Sequence, residues 1–98
     1  MDDIPRIKNG GAFLIKDTTK DAFDELITPD GGVVCDIIDE DDILVADGVA
    51  MTQITTGVWT LTIQSAASWQ KGMYSVVVYA THGAYTSIKE NKQAFEIF

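Results

Sequence analysis

Alternation of apolar and polar positions dominates this chain, and alternation sends successive side chains of a strand to opposite faces. Residues 58–63 put Trp59, Leu61 and Ile63 on one face and Thr60 and Thr62 on the other, which predicts a half-buried strand. Residues 73–80 repeat the pattern with Tyr74, Val76 and Val78 inward, while Val77 and Tyr79 make the outer face less polar than solvent requires. In residues 33–38, Val33, Cys35 and Ile37 share a face and Asp36 marks the wet side, so Cys35 reads as a small core residue. Residues 12–16, with Phe13 and Ile15 aligned, and 94–98, with Phe95 and Ile97 aligned, predict strands at the two ends.

Turn chemistry separates these runs. Residues 28–32 read Thr-Pro-Asp-Gly-Gly, a composition that sets one φ and permits a positive one, so a hairpin or corner is expected there. Asp47-Gly48 divides the apolar run 43–46 from 49–54, which predicts a hairpin. Thr56-Gly57 turns the chain again into the strand of Trp59. Residues 65–71 lose alternation, carry Trp69 and are closed by Gly72, so they read as a loop or one helical turn. The polar stretch 89–93 is expected to lie outside the strands.

Residues 17–26 have two readings: Asp17 capping a short helix that aligns Ala22, Phe23, Leu26 and Ile27, or an irregular connection into a short strand over 25–28. The second is preferred, because two threonines and Pro29 leave a helix little length. About seven short strands at spacings of about ten residues predict an all-β sandwich, with no βαβ unit. Residues 12–98 are expected to form that single domain. Residues 1–11, ending in Asn9-Gly10-Gly11, are expected to be a flexible N-terminal arm that orders on assembly.

A length of 98 residues supports one domain with a real core, and 46% apolar against 22% charged residues separates the chain from disordered sequences. Fifteen acidic against seven basic residues give a net charge of −8, which argues against nucleic acid and anionic membranes as partners. The imbalance is segregated: between Asp21 and Gln70 there is no Lys or Arg, and all seven basic residues flank that acidic middle. Cys35 is the single cysteine, so no intramolecular disulfide forms and stability rests on packing. The N-terminus shows no basic region followed by an apolar run, and no stretch approaches the roughly 18 apolar residues of a membrane span. Synthesis in the cytoplasm, as a complete small gene product, is the expectation.

Candidate chemistry is sparse. Asp36, Asp39, Glu40, Asp41 and Asp42 offer oxygens to a hard cation, but the run lacks the central glycine and the spacing of an EF-hand loop. A solvated turn is preferred over calcium, and no metal or cofactor is assigned. His82, the only histidine, falls at a strand end while Cys35 points inward, so the two are not expected to form a nucleophile–base pair, and no catalytic residue is assigned. The eight glycines match no phosphate-binding fingerprint. Trp59 and Tyr74 are in phase with inward aliphatics and read as core; Trp69, Tyr79 and Tyr85 are the candidate partner contacts.

The strand Gly57-Val58-Trp59-Thr60-Leu61, followed by Trp69-Gln70-Lys71-Gly72-Met73-Tyr74-Ser75-Val76 and a terminal Phe95-Glu96-Ile97-Phe98, resembles the last strands of immunoglobulin-like β-sandwich domains. Such domains are common in bacteriophage head, neck and tail proteins and in bacterial surface proteins. The resemblance covers residues 29–98 and departs from antibody-type domains in lacking their cysteine pair. It implies an immunoglobulin-like antiparallel β-sandwich and a non-enzymatic module. The expected role is a structural or decoration component of a phage virion, bound to capsid, neck or tail proteins or to copies of itself. The alternative is a carbohydrate- or cell-surface-binding module facing a host glycan.

Overall fold

The computed structural model describes residues 4–20, 23 and 25–98. Among these residues eight strands form two sheets: β1 (Arg6–Ile7), β2 (Ala12–Thr18), β3 (Val33–Ile38), β4 (Leu44–Ala50), β5 (Thr52–Thr55), β6 (Val58–Gln64), β7 (Gly72–His82) and β8 (Tyr85–Ile97). One sheet has the order β1-β8-β7-β3-β4 and the other β2-β6-β5. No helix occurs among the described residues, and the chain is all-β and sandwich-like. Every pairing is antiparallel except β1 with β8, which makes the larger sheet mixed rather than purely antiparallel.

The faces expected from alternation are the faces that pack. Val33, Cys35 and Ile37 of β3 meet Tyr74, Val76 and Val78 of β7, Trp59 and Ile63 of β6, and Phe95 and Ile97 of β8 in one buried cluster. Phe13 of β2 reaches across to Phe95 with ring centroids 4.4 Å apart, and Phe95 stacks on Tyr74 at 5.2 Å, so aromatic rings join the two sheets. Burial of each large member stabilises the fold by about 1.5–3 kcal/mol before conformational entropy is counted. Of the stretch 17–26, Asp17 and Thr18 extend β2, and Leu26 makes only an isolated bridge to Lys20 in place of the expected short strand over 25–28. Thr19 is pinned there by Gly57 O and Ile27 O and receives the Trp59 indole N–H at 3.3 Å. Ala22 of the rejected helix lies outside the described residues.

Two further expectations are corrected. Asp47-Gly48 is not a hairpin but a bulge inside β4: Val49 pairs with Cys35 and Ala46 with Ile37, leaving Asp47 and Gly48 opposite Asp36 alone. The Asp36 carboxylate accepts the Gly48 N–H at 2.6 Å, and Gly48 takes a φ of +58°. The chain reverses nothing at that point; it leaves the large sheet at the buried Met51 and enters the small one as β5, so the apolar run 49–54 is divided between two sheets.

The polar stretch 89–93 is the second correction, because it lies within β8. All five residues are exposed, so alternation has no reason to appear. Three residues, 92–94, oppose the single Ser75, with Gln93 at a φ of +52°. Residues 1–3 of the segment expected as an arm lie outside the described residues, and residues 5–9 run along the outer side of the end of β8. Glu96 N–H donates to Pro5 O at 2.9 Å, Phe98 N–H to Ile7 O at 3.0 Å, and Asn9 N–H to Phe98 O at 2.9 Å.

Candidate functional site

The three aromatic residues singled out in the sequence stand apart. Trp69 is half-buried, stacks on Tyr74 at 5.7 Å and accepts the Asn9 amide at its carbonyl, so it closes one end of the core. Tyr85 is 82% exposed at the tip of the β7–β8 hairpin, at the far end of β7 from Tyr74. The eight residues between position 74 and the hairpin turn span about 26 Å. Tyr79 lies on the outer face of the large sheet, between Val34 of β3 and Ile88 of β8. A hydrogen bond to the Asp36 carboxylate, then partial burial, raises its hydroxyl pKa. The sheet brings none of the three together as one platform.

The acidic run is occupied with holding turns. Asp39 is buried and accepts the N–H groups of Asp41 and Ile43, both at 2.9 Å. Glu40 accepts the Met73 N–H and Asp41 the Gln70 amide, which ties this loop to the start of β7. No group of three or more metal-ligating side chains is gathered among the described residues. Cys35 is fully buried, and burial first, with the Asp36 charge second, pushes its thiol up to about 11. His82 instead accepts the Asp30 N–H at the hairpin end and is exposed.

A cleft between the two sheets is a feature the sequence did not announce. On one side the sandwich is closed by the chain itself, which crosses from β4 to β5 at Met51. On the other side β2 is the edge of the small sheet, and in the large sheet the two-residue β1 stands outside β8, pairing among the described residues only with Glu96 and Ile97 and leaving the rest of β8 unpaired on that side. Between β2 and β8 runs the cleft, of about 650 Å³, whose walls are Phe13, Ile15, Val76, Val78, Ala94 and Phe95, side chains continuous with the core. One ion pair spans it: Lys89 Nζ on β8 donates to Asp17 Oδ1 at 3.0 Å and to Thr18 O at 3.2 Å on β2.

Charge sorts with this geometry. Residues 4–20 and 85–98, which contribute β1, β2 and β8, carry six basic side chains against three carboxylates, a net of +3. Residues 33–50, which contribute β3 and β4, carry six carboxylates and no basic residue. The strands β2 and β8 are themselves neutral, Lys16 standing against Asp17 and Lys89 and Lys92 against Glu90 and Glu96, so the basic excess lies at Arg6, Lys8 and Lys20 while the β4 edge is acidic. Comparison with known protein families, curated proteins and solved structures returns no match.

Proposed function

We propose that this chain is a non-enzymatic structural or decoration component of a bacteriophage virion, held in place by protein–protein contacts. The observation that carries the reading is the seam between β2 and β8, the edge of one and the largely unpaired outer side of the other flanking a cleft lined by core side chains. Unpaired strand edges recognise polypeptide through main-chain hydrogen bonds, and an adjoining apolar cleft selects the side chains of the incoming segment. The virion context comes from the sequence resemblance and is an analogy at the level of fold. The glycan-binding alternative draws on Trp69, Tyr79 and Tyr85 as a platform, and their separation leaves it without an observation in its favour.

Quantitative mass spectrometry of purified particles from the source organism tests the reading. The chain is expected at a copy number that is a multiple of the particle's symmetry, and cross-linked to a head, neck or tail protein through residues of the seam. Its absence from the particles overturns the proposal.

A further inference from the structure

The register of the small sheet fixes which main-chain groups of β2 are left open. Just beyond its two ends Thr19 N–H donates to Gly57 O at 2.8 Å and Ser65 N–H to Gly11 O at 3.0 Å, and between them β2 pairs with β6 without a register shift. Successive residues of an antiparallel strand turn their N–H and C=O groups to alternate sides. Residues 13, 15 and 17 therefore bond to β6, while Ala12, Leu14, Lys16 and Thr18 direct theirs at the open edge. The Thr18 carbonyl agrees with this parity, since it accepts Lys89 Nζ at 3.2 Å from outside the sheet. Lys89 also holds Asp17, so it closes the Thr18 end and leaves residues 12–16 as an edge without a neighbouring strand among the described residues.

The same stretch borders the cleft. Phe13 and Ile15 face into it and are only half-buried, whereas Leu14 and Lys16 alternate to the outer face and are exposed. Val76, Ala94 and Phe95 form the opposing wall. Asp17 is taken by Lys89 across the cleft, while Lys16, on the outer face, makes no ion pair among the described residues.

We infer that residues 12–16 of β2 take up an extended polypeptide segment of a partner protein as a further antiparallel strand of the small sheet. The inference deepens the reading of the seam as a polypeptide contact and rests on that part of it. A strand repeats its main-chain donors and acceptors at about 6.8 Å, the spacing at which residues 12, 14 and 16 present theirs. Glycans and nucleic acids carry no such ladder, and a net charge of −8 opposes the latter. The register sets the chemistry of the segment. Its residues opposite Phe13 and Ile15 enter the cleft and are apolar; those opposite Leu14 and Lys16 stay on the outer face, where a carboxylate opposite Lys16 completes a cross-strand pair.

The probe is the capped peptide Ser-Glu-Val-Thr-Val-Thr, titrated into the isotope-labelled full chain to about 5 mM, a range that reads dissociation constants near about 1 mM. Saturable amide shifts are expected at Ala12, Leu14 and Lys16. The N–H groups of Leu14 and Lys16 exchange fast in the free chain and slowly in the complex, and those of Phe13 and Ile15 slowly in both. Methylating the main-chain nitrogen of the threonine between the valines, which faces β2, weakens binding by about tenfold or more, and methylating a valine nitrogen, which faces away, by less than about threefold. Leu14→Pro, at a nitrogen that bonds to nothing within the sheet, keeps the fold by circular dichroism and weakens binding by about tenfold or more. If that variant unfolds, the methylated probes carry the test.

A titration without saturable shifts overturns the inference, as does equal weakening by the two methylations or unchanged binding to a folded Leu14→Pro. Shifts at the same amides when the chain is concentrated without probe assign the edge to a second copy and overturn it too. A null titration for a chain found in particles removes this inference and leaves the proposed function standing; a chain that takes the probe but is absent from particles removes that function alone.

Discussion

Replacing Gly48 and Gly57 by alanine, one at a time, separates backbone strain from crowding in this fold. Both residues have positive φ, +58° and +74°, so both variants suffer the same backbone cost. A left-handed L-residue costs roughly 1–2 kcal/mol, and alanine recovers about 0.4–1 kcal/mol by stiffening the unfolded chain. The surroundings differ. A Cβ at Gly48 meets nothing within 4 Å, whereas one at Gly57 lies 2.7 Å from Leu26 Cβ and 3.0 Å from the Thr19 carbonyl. Those contacts belong to the segment that caps Trp59, and overpacking of this kind adds about 1–3 kcal/mol.

Gly48→Ala is therefore expected to cost about 1 kcal/mol and Gly57→Ala about 2–4 kcal/mol. In thermal unfolding followed by circular dichroism, a chain of this size shifts about 4–8 °C per kcal/mol, so the Gly57 variant melts at least about 5 °C below the Gly48 variant. Equal losses would sink the steric account of Gly57. A Gly48 variant as stable as wild type would show that the bulge does not hold that residue in the left-handed region.

Cys35 is expected to resist thiol reagents at pH 8 until the protein is unfolded, and rapid labelling under native conditions would contradict its place in the core. Its thiol is raised from 9.0 to about 11, so the associated stability is fully present below pH 9 and is lost as pH rises through 11. A Cys35→Ala variant should lose less stability over that window in urea titrations. Asp39→Ala strips the acceptor from two N–H groups and is expected to cost about 2–4 kcal/mol by urea unfolding, with Asp39→Asn losing less because its amide oxygen still accepts. Tyr74→Phe removes the 2.6 Å hydrogen bond to Gln70 O and is expected to cost about 0.5–1.5 kcal/mol, whereas Tyr85→Ala at the hairpin tip should leave the melting temperature unchanged.

Period-two alternation is a local property, and it determined which residues of β3, β6 and β7 face the core, Cys35 and Trp59 included, because one buried face imposes that spacing wherever a strand has one. The turn chemistry at Thr56-Gly57 and the loop ending at Gly72 were legible for the same reason. Asp47-Gly48 was not, since the same dipeptide serves a hairpin or a bulge and the choice depended on Asp36 of a neighbouring strand accepting the Gly48 N–H. The polar half of β8 carried no strand signal because its side chains are exposed on both faces, and the stacking of Trp69 on Tyr74 is fixed by the path of a loop, which alternation does not report.

The seam is a product of topology alone. β2 and β8 are separated by most of the chain, and only the sheet orders bring the edge of β2 and the largely unpaired outer side of β8 to one side and the carboxylates of β4 to the other. Sequence thus decided the faces, a matter of neighbouring residues, and tertiary structure decided the edges, a matter of which strands are left without a neighbour on one side.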